Sequence, residues 1–147
     1  MPRAYLGLGA NIGEPSRQLQ EALDRLNAHP GISVIRVSVT LINPAWGKTD
    51  QPPFNNLVAE IETPLSPHDL LSACLSIETE MGRVRTEHWG PRLIDIDIIA
   101  YDREVMQTSD LVLPHPYAAQ RQFVMSPLRQ IAPDVANWIF DQAGVRR

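Results

Sequence analysis

The sequence predicts an α+β fold of the ferredoxin-like, split β-α-β type: a single domain over residues 1–147 with C-terminal additions. Two observations carry that prediction. Segments of period 2 and period 3.6 follow one another in the order β-α-β-β-α-β. The chain has 147 residues, 44% hydrophobic and 20% charged, enough for one core, and no repeat, linker or composition shift divides it.

Each element has its own warrant. "RAYLGLGAN", residues 3–11, alternates Ala4, Leu6 and Leu8 against Tyr5 and two glycines, as a half-buried strand does. In "EPSRQLQEALDRLNAHPG", 14–31, Leu19, Ala22, Leu23 and Leu26 make a helical stripe, which Pro30-Gly31 ends. "ISVIRVSVTL", 32–41, is β-branched and reads as one strand. "INPAWGKTDQPPFNN", 42–56, reads as a three-proline loop long enough to suspect function, and "LVAEIET", 57–63, as a strand with Leu57, Ala59 and Ile61 on one face. "SPHDLLSACLSIETEMG", 66–82, is a second helix with Ser66 as N-cap, Pro67 in the first turn and Gly82 at its end. Its stripe is expected at Leu71, Cys74, Leu75 and Glu78. That puts a carboxylate in line with apolar residues: either an Arg of the next loop pairs with it, or the stripe drifts to the surface as the helix ends. An Arg-rich loop, 83–92, precedes another strand, and the tail mixes a short apolar run, prolines and short helical pieces.

That last strand carries the chemistry. In "LIDIDII", 93–99, Ile94, Ile96 and Ile98 fall on one face, Asp95 and Asp97 on the other. Asp is a poor strand former, and two anions on one face repel. Positions i and i+2 lie roughly 6.6 Å apart, so the two carboxylates can converge on a cation. Oxygen ligands without His or Cys beside them suit Mg²⁺, whose shell phosphate oxygens and water complete. A solvated strand face is the competing explanation. The surroundings favour the cation: Arg83, Arg85 and Arg92 flank a turn with Trp89, Gly90 and Pro91, and guanidinium forks match phosphate oxygens. His115 in "LPHP" and Arg121 in "QRQF" form a second cationic set. Trp46, Phe54, Trp89 and Phe123 are loop aromatics, and Phe54 next to Asn55-Asn56 suits a flat nitrogen heterocycle held by ring faces and read by an amide.

Other chemistries drop out. "GLGANIG" has one residue too many for a dinucleotide fingerprint, and no phosphate-binding GxxxxGK[ST] motif occurs. One cysteine, Cys74, excludes an internal disulfide and a cysteine-based zinc site. The net charge of −4 gives no footprint for nucleic acid or an anionic membrane. No signal-peptide-like or membrane-spanning run is seen, so a cytoplasmic protein is expected.

Over essentially its whole length the chain resembles 6-hydroxymethyl-7,8-dihydropterin pyrophosphokinase, a folate-pathway family. The likeness is carried by "HWGPRLIDIDII" at 88–99, with "LGLGANIG", "FNN", "GRVR", "LPHP" and "RQF" in the family's order. The resemblance implies that ATP gives its terminal pyrophosphoryl group to the dihydropterin hydroxymethyl and that AMP leaves. By similarity, Asp95 and Asp97 hold two Mg²⁺ ions, and Arg83 and Arg92 neutralise the transferring group. Arg85, Trp89, Arg92, His115, Arg121 and the backbone near Ile98 serve ATP. Phe54 and Phe123 sandwich the pterin, with Asn56 on its polar edge and Asn43, Pro44, Trp46 and Trp89 lining its pocket. Asn11 and Glu78 support the site. Asn43, Trp46, Phe54 and Leu75 depart from residues common in the family, and the loop before Trp89 is one residue short. The implied partners are the two small substrates, with no nucleic acid and no membrane, and a monomer is expected. Residues 83–92 are expected to close as a lid. A non-catalytic ferredoxin-like ligand-binding regulatory module is the rival reading; it leaves the paired aspartates without a job.

Overall fold

The computed structural model describes residues 1–43, 53–82 and 94–145. Strand β1 (Arg3–Ala10) leads into helix α1 (Pro15–Ala28), and β2 (Ser33–Val37) and β3 (Leu41–Asn43) precede β4 (Phe54–Glu62). Helix α2 (Pro67–Gly82) follows, then β5 (Asp95–Tyr101), a small hairpin of β6 (Met106–Gln107) and β7 (Val112–Leu113), and helices α3 (Gln122–Ile131) and α4 (Pro133–Val145). The main sheet runs β2-β4-β1-β5, with β3 also pairing to β4, and every pairing is antiparallel.

Alternation decides which side chains meet which layer. Ala4, Leu6 and Leu8 of β1, Leu57, Ala59 and Ile61 of β4, and Ile96 and Ile98 of β5 face α1 and α2 in the larger core. Helix α1 contributes Leu19, Ala22 and Leu26, and α2 contributes Leu70, Ala73, Cys74, Ile77 and Met81. On the other face Tyr5, Val58, Ile99 and Ala100 pack under α3 and α4 through Val124, Met125, Leu128, Ile131, Ala136 and Ile139. The second helical layer covers one end of that face. The other end, where β1 carries Gly7 and Gly9, borders a cavity.

Three expectations need correction. The single strand over 32–41 divides: Ser38 breaks it, its backbone N–H donating to the Val58 carbonyl and its Oγ accepting from the Val58 N–H, both at 2.9 Å. "FNN" is not loop, because β4 begins at Phe54 and pairs there with Asn43 of β3; ladder pairing overrides the poor strand propensity of asparagine. The α2 stripe is borne out in part: Cys74 is buried and Leu71 packs against the core, but Leu70, Ala73, Ile77 and Met81 are buried as well while Leu75 is 49% exposed. Ser66 does cap α2, accepting the Asp69 N–H at 3.2 Å.

Candidate active site

The register across β4, β1 and β5 builds the site. Gly9 lies opposite Asn56 on one side and Asp95 on the other; Gly7 lies opposite Val58 and Asp97. Directly paired residues share a face. Asn56 and the two aspartates therefore stand on the same face, separated by a strand that has no side chains at those two rows. The reason for glycine is steric. A Cβ at Gly9 would come within 2.7 Å of Asn56 Oδ1, and one at Gly7 within 3.1 Å of Ile99 Cδ1.

This floor opens into a cavity of about 830 Å³. Its lining includes Asp95 and Asp97 on one side, Asn43, Phe54 and Asn56 on the other, and Arg121 and Phe123 from the start of α3. Both aspartates are exposed on their strand face, and Phe54 is 39% exposed. The volume falls in the range of small-molecule sites. Among the described residues no group of three or more His, Cys, Asp and Glu comes together. Among the described residues that line the cavity, the carboxylates are those of Asp95 and Asp97, a pair whose oxygens suit a hard cation completing its shell with water or phosphate oxygens.

The free edge of β5 is finished by two neighbours. Glu78 of α2 accepts the Ile96 N–H at 2.7 Å, and the His115 N–H donates to the Ile99 carbonyl at 2.9 Å. Glu78 thus reaches the backbone between the two aspartates, a polar partner that a stripe count on α2 could not foresee. Ile98 is buried in the larger core, so any ligand contact it makes is through its backbone. That backbone, two residues on from Ile96, faces the same strand edge.

The turn from His115 to Phe123 adds the cationic side. The Arg121 guanidinium lies 5.6 Å from the ring centroids of both Tyr117 and Phe123. His115 Nδ1 accepts the Tyr117 N–H at 3.2 Å, which leaves Nε2 to carry the proton of the neutral ring. Burial holds the His115 pKa below its ordinary 6.5; Asp97 opposes that shift and Arg121 adds to it. In the unfolded chain the imidazole gains its proton as pH falls through 6.5, while the folded protein resists. Stability is therefore expected to fall with pH below about 6.5, and His115→Gln should flatten that slope. Urea titrations at pH 7 and pH 5 check this; equal slopes in both proteins would refute it. Cys74 takes no part: burial first, then Glu78 and Asp97, push its thiol up to about 12.

Residues 5–133 match the family described as 7,8-dihydro-6-hydroxymethylpterin-pyrophosphokinase. The chain belongs to this pyrophosphokinase family. It is 50% identical to the 2-amino-4-hydroxy-6-hydroxymethyldihydropteridine pyrophosphokinase of Methylorubrum extorquens over 92% of this chain and 85% of that one. The protein of the same name from Bacillus subtilis is 39% identical over 97% and 88%. In fold it resembles Plasmodium falciparum HPPK-DHPS, with a TM-score of 0.68 at 15% identity; the match covers 97% of this chain but 43% of that longer one. The chain is accordingly a pyrophosphokinase-family enzyme, and the regulatory-module reading is set aside.

Of the family-derived site residues, the structure brings Asn43, Phe54, Asn56, Asp95, Asp97, Arg121 and Phe123 to one cavity. His115 joins through the edge of β5 and Glu78 through the Ile96 N–H, while Asn11 follows the end of β1, half-buried. Pro44, Trp46, Arg83, Arg85, Trp89 and Arg92 lie outside the described residues, as do the expected lid and any arginine partner of Glu78. Gln120 and Gln122 also line the cavity, and Gly7 and Gly9 form its floor. Two glycines at i and i+2 of one strand, in a protein with two aspartates at i and i+2 of another, were the signal available for that floor.

Proposed function

We propose that the chain transfers the pyrophosphoryl group of ATP to the hydroxymethyl oxygen of 6-hydroxymethyl-7,8-dihydropterin in folate biosynthesis. The hydroxyl gives up its proton to solvent as the oxygen–Pβ bond forms, the bond from Pβ to the bridging oxygen of AMP breaks, and AMP leaves with that oxygen and the bonding electrons. The observation that supports this reading is the row Asn56–Gly9–Asp95, beside Gly7–Asp97, which sets the Asn56 amide and two carboxylates on opposite sides of one glycine floor.

Asp95 and Asp97 hold Mg²⁺, two ions with ATP, which supply positive charge for the triphosphate. Arg83 and Arg92 neutralise the transferring group. Arg85, Trp89, His115, Arg121 and the Ile98 backbone bind ATP. Phe54 and Phe123 take the two faces of the pterin, Asn56 its edge, and Asn43, Pro44, Trp46 and Trp89 complete its pocket. Asn11 and Glu78 support the site. Catalysis is then mainly positioning and charge stabilisation. The fold is read as a ferredoxin-like split β-α-β domain over 1–147 with C-terminal additions, acting as a cytoplasmic monomer without nucleic-acid partners. No described helix is long and apolar enough to cross a membrane.

The direct test is AMP release, which should need ATP, the pterin and Mg²⁺ together; AMP release indifferent to the pterin would defeat the proposal. The aromatic assignment has its own expected result. Phe54→Ala and Phe123→Ala should each weaken pterin binding several-fold, since a stacked face is worth about 0.5–1.5 kcal/mol beyond area burial, and Phe54→Ala, whose ring does not touch Arg121, should leave ATP affinity near wild type. Calorimetry with each ligand separates the two. Weakened ATP binding with normal pterin binding would mean that the pockets are assigned the wrong way round.

A further inference from the structure

Tyr117 has no place in the assignments above, and the residue is 55% exposed. Single exposed aromatics are ordinary on protein surfaces. What singles this one out is what it touches. We propose that Tyr117 is a positioning residue that seats the Arg121 guanidinium for the phosphates of ATP; this rests on the assignment of Arg121 to ATP.

Three observations support the role. First, the guanidinium carbon lies 5.6 Å from the Tyr117 ring centroid and 5.6 Å from that of Phe123, within cation–π range of both. Second, the Tyr117 ring is held in place by its own turn. The Tyr117 N–H bonds His115 Nδ1, the His115 N–H bonds β5 at Ile99, and the two rings meet edge to face at 6.1 Å. Third, the Arg121 N–H donates to the Ala118 carbonyl at 3.1 Å, which fixes the start of the arginine side chain on the same turn.

The consequence is pre-organisation. An arginine on a solvated turn must give up rotamer freedom when it meets an anion. Two aromatic seats take part of that freedom away beforehand, so less affinity is lost on binding. The seats also offer the cation a resting place other than the Asp95 and Asp97 carboxylates, which border the same cavity and are needed for the metal. The seating requires a ring face, not the hydroxyl, so phenylalanine should serve as well as tyrosine.

The test uses calorimetry with Mg²⁺ and α,β-methylene ATP, whose methylene bridge replaces the bond the reaction breaks. Tyr117→Phe should bind as wild type. Tyr117→Ala should bind roughly two- to fivefold more weakly, the size of an exposed cation–π contact, with pterin affinity and melting temperature unchanged. In an Arg121→Ala background, adding Tyr117→Ala should change nothing further. Wild-type affinity in Tyr117→Ala beside a weakened Arg121→Ala overturns the positioning role and leaves the functional reading standing. An equal loss from Tyr117→Ala in both backgrounds also overturns it, because the ring would then act without Arg121. Wild-type affinity in Arg121→Ala overturns the phosphate assignment and this role together.

Discussion

Asp97→Ala is expected to lower turnover by at least about 10²–10³-fold, the usual scale for losing one electrostatic stabiliser of a transition state, while the protein stays folded. The reason lies in where the carboxylate sits. Asp97 is exposed on β5, opposite Gly7, so its removal opens no packing hole. The strand itself gains. Two unit charges roughly 6.6 Å apart repel by about 0.6 kcal/mol even in bulk water, and alanine is at least as good a strand residue as aspartate. The melting temperature should hold or rise slightly, and the Mg²⁺ dependence of ATP-analogue binding should weaken sharply. Asp95→Ala should lose turnover to a similar degree, since Asp95 occupies the equivalent place opposite Gly9. Wild-type turnover in either variant would end the metal assignment. A melting point lowered by many degrees would recast the pair as a structural feature.

The same strand shows how far the sequence could be read. Ile94, Ile96 and Ile98 announce a buried face and Asp95 and Asp97 an open one, because a period of 2 needs no tertiary knowledge. The core positions of β1 are legible for the same reason, and those of α1 from its period of 3.6. What could not be read depends on partners distant in the chain. Phe54, Asn55 and Asn56 look like loop until β3 is laid beside them, and that pairing brings Asn43 opposite Phe54. Helix α2 has Leu75 near enough to its stripe to mislead a count, while Leu70 and Met81, off the counted line, are the ones fully buried. Glu78 looks like a stray carboxylate in an apolar row until the edge of β5 supplies the Ile96 N–H. Tyr117 gives no signal at all in sequence, since its meaning lies in the guanidinium beside it. The resemblance to the family supplied residue roles that spacing alone left open. The motif "LGLGANIG" contains Gly7 and Gly9, but only the strand register sets them as a floor between Asn56 and the two aspartates.

That floor yields the second large effect. Gly9→Ala is expected to raise the KM for the pterin by roughly tenfold or more, consistent with the loss of one or two hydrogen bonds at about 0.5–1.5 kcal/mol each, and to leave the KM for ATP close to wild type. A methyl at position 9 would stand 2.7 Å from Asn56 Oδ1, closer than the two atoms can pack. Something must move, and the cheaper movement is rotation of the Asn56 amide. The nearest backbone atom, the Asn55 carbonyl oxygen, is at an ordinary 4.0 Å. Stability should therefore change little, because the amide is the end of a half-buried side chain beside an open cavity. Function should change much more, because a site that reads a heterocycle by hydrogen bonds fails when its reading group turns away. Gly9→Val should be worse, as two further methyls project over the floor between Asn56 and Asp95. The double variant Gly9→Ala with Asn56→Ala separates this account from a general disturbance: if Gly9 acts through Asn56, the double variant should match Asn56→Ala alone. Steady-state kinetics with each substrate varied in turn decide the matter. An equal rise in both KM values, or a pterin KM unchanged in Gly9→Ala, would show that the glycine is there for a reason other than clearing the way for Asn56.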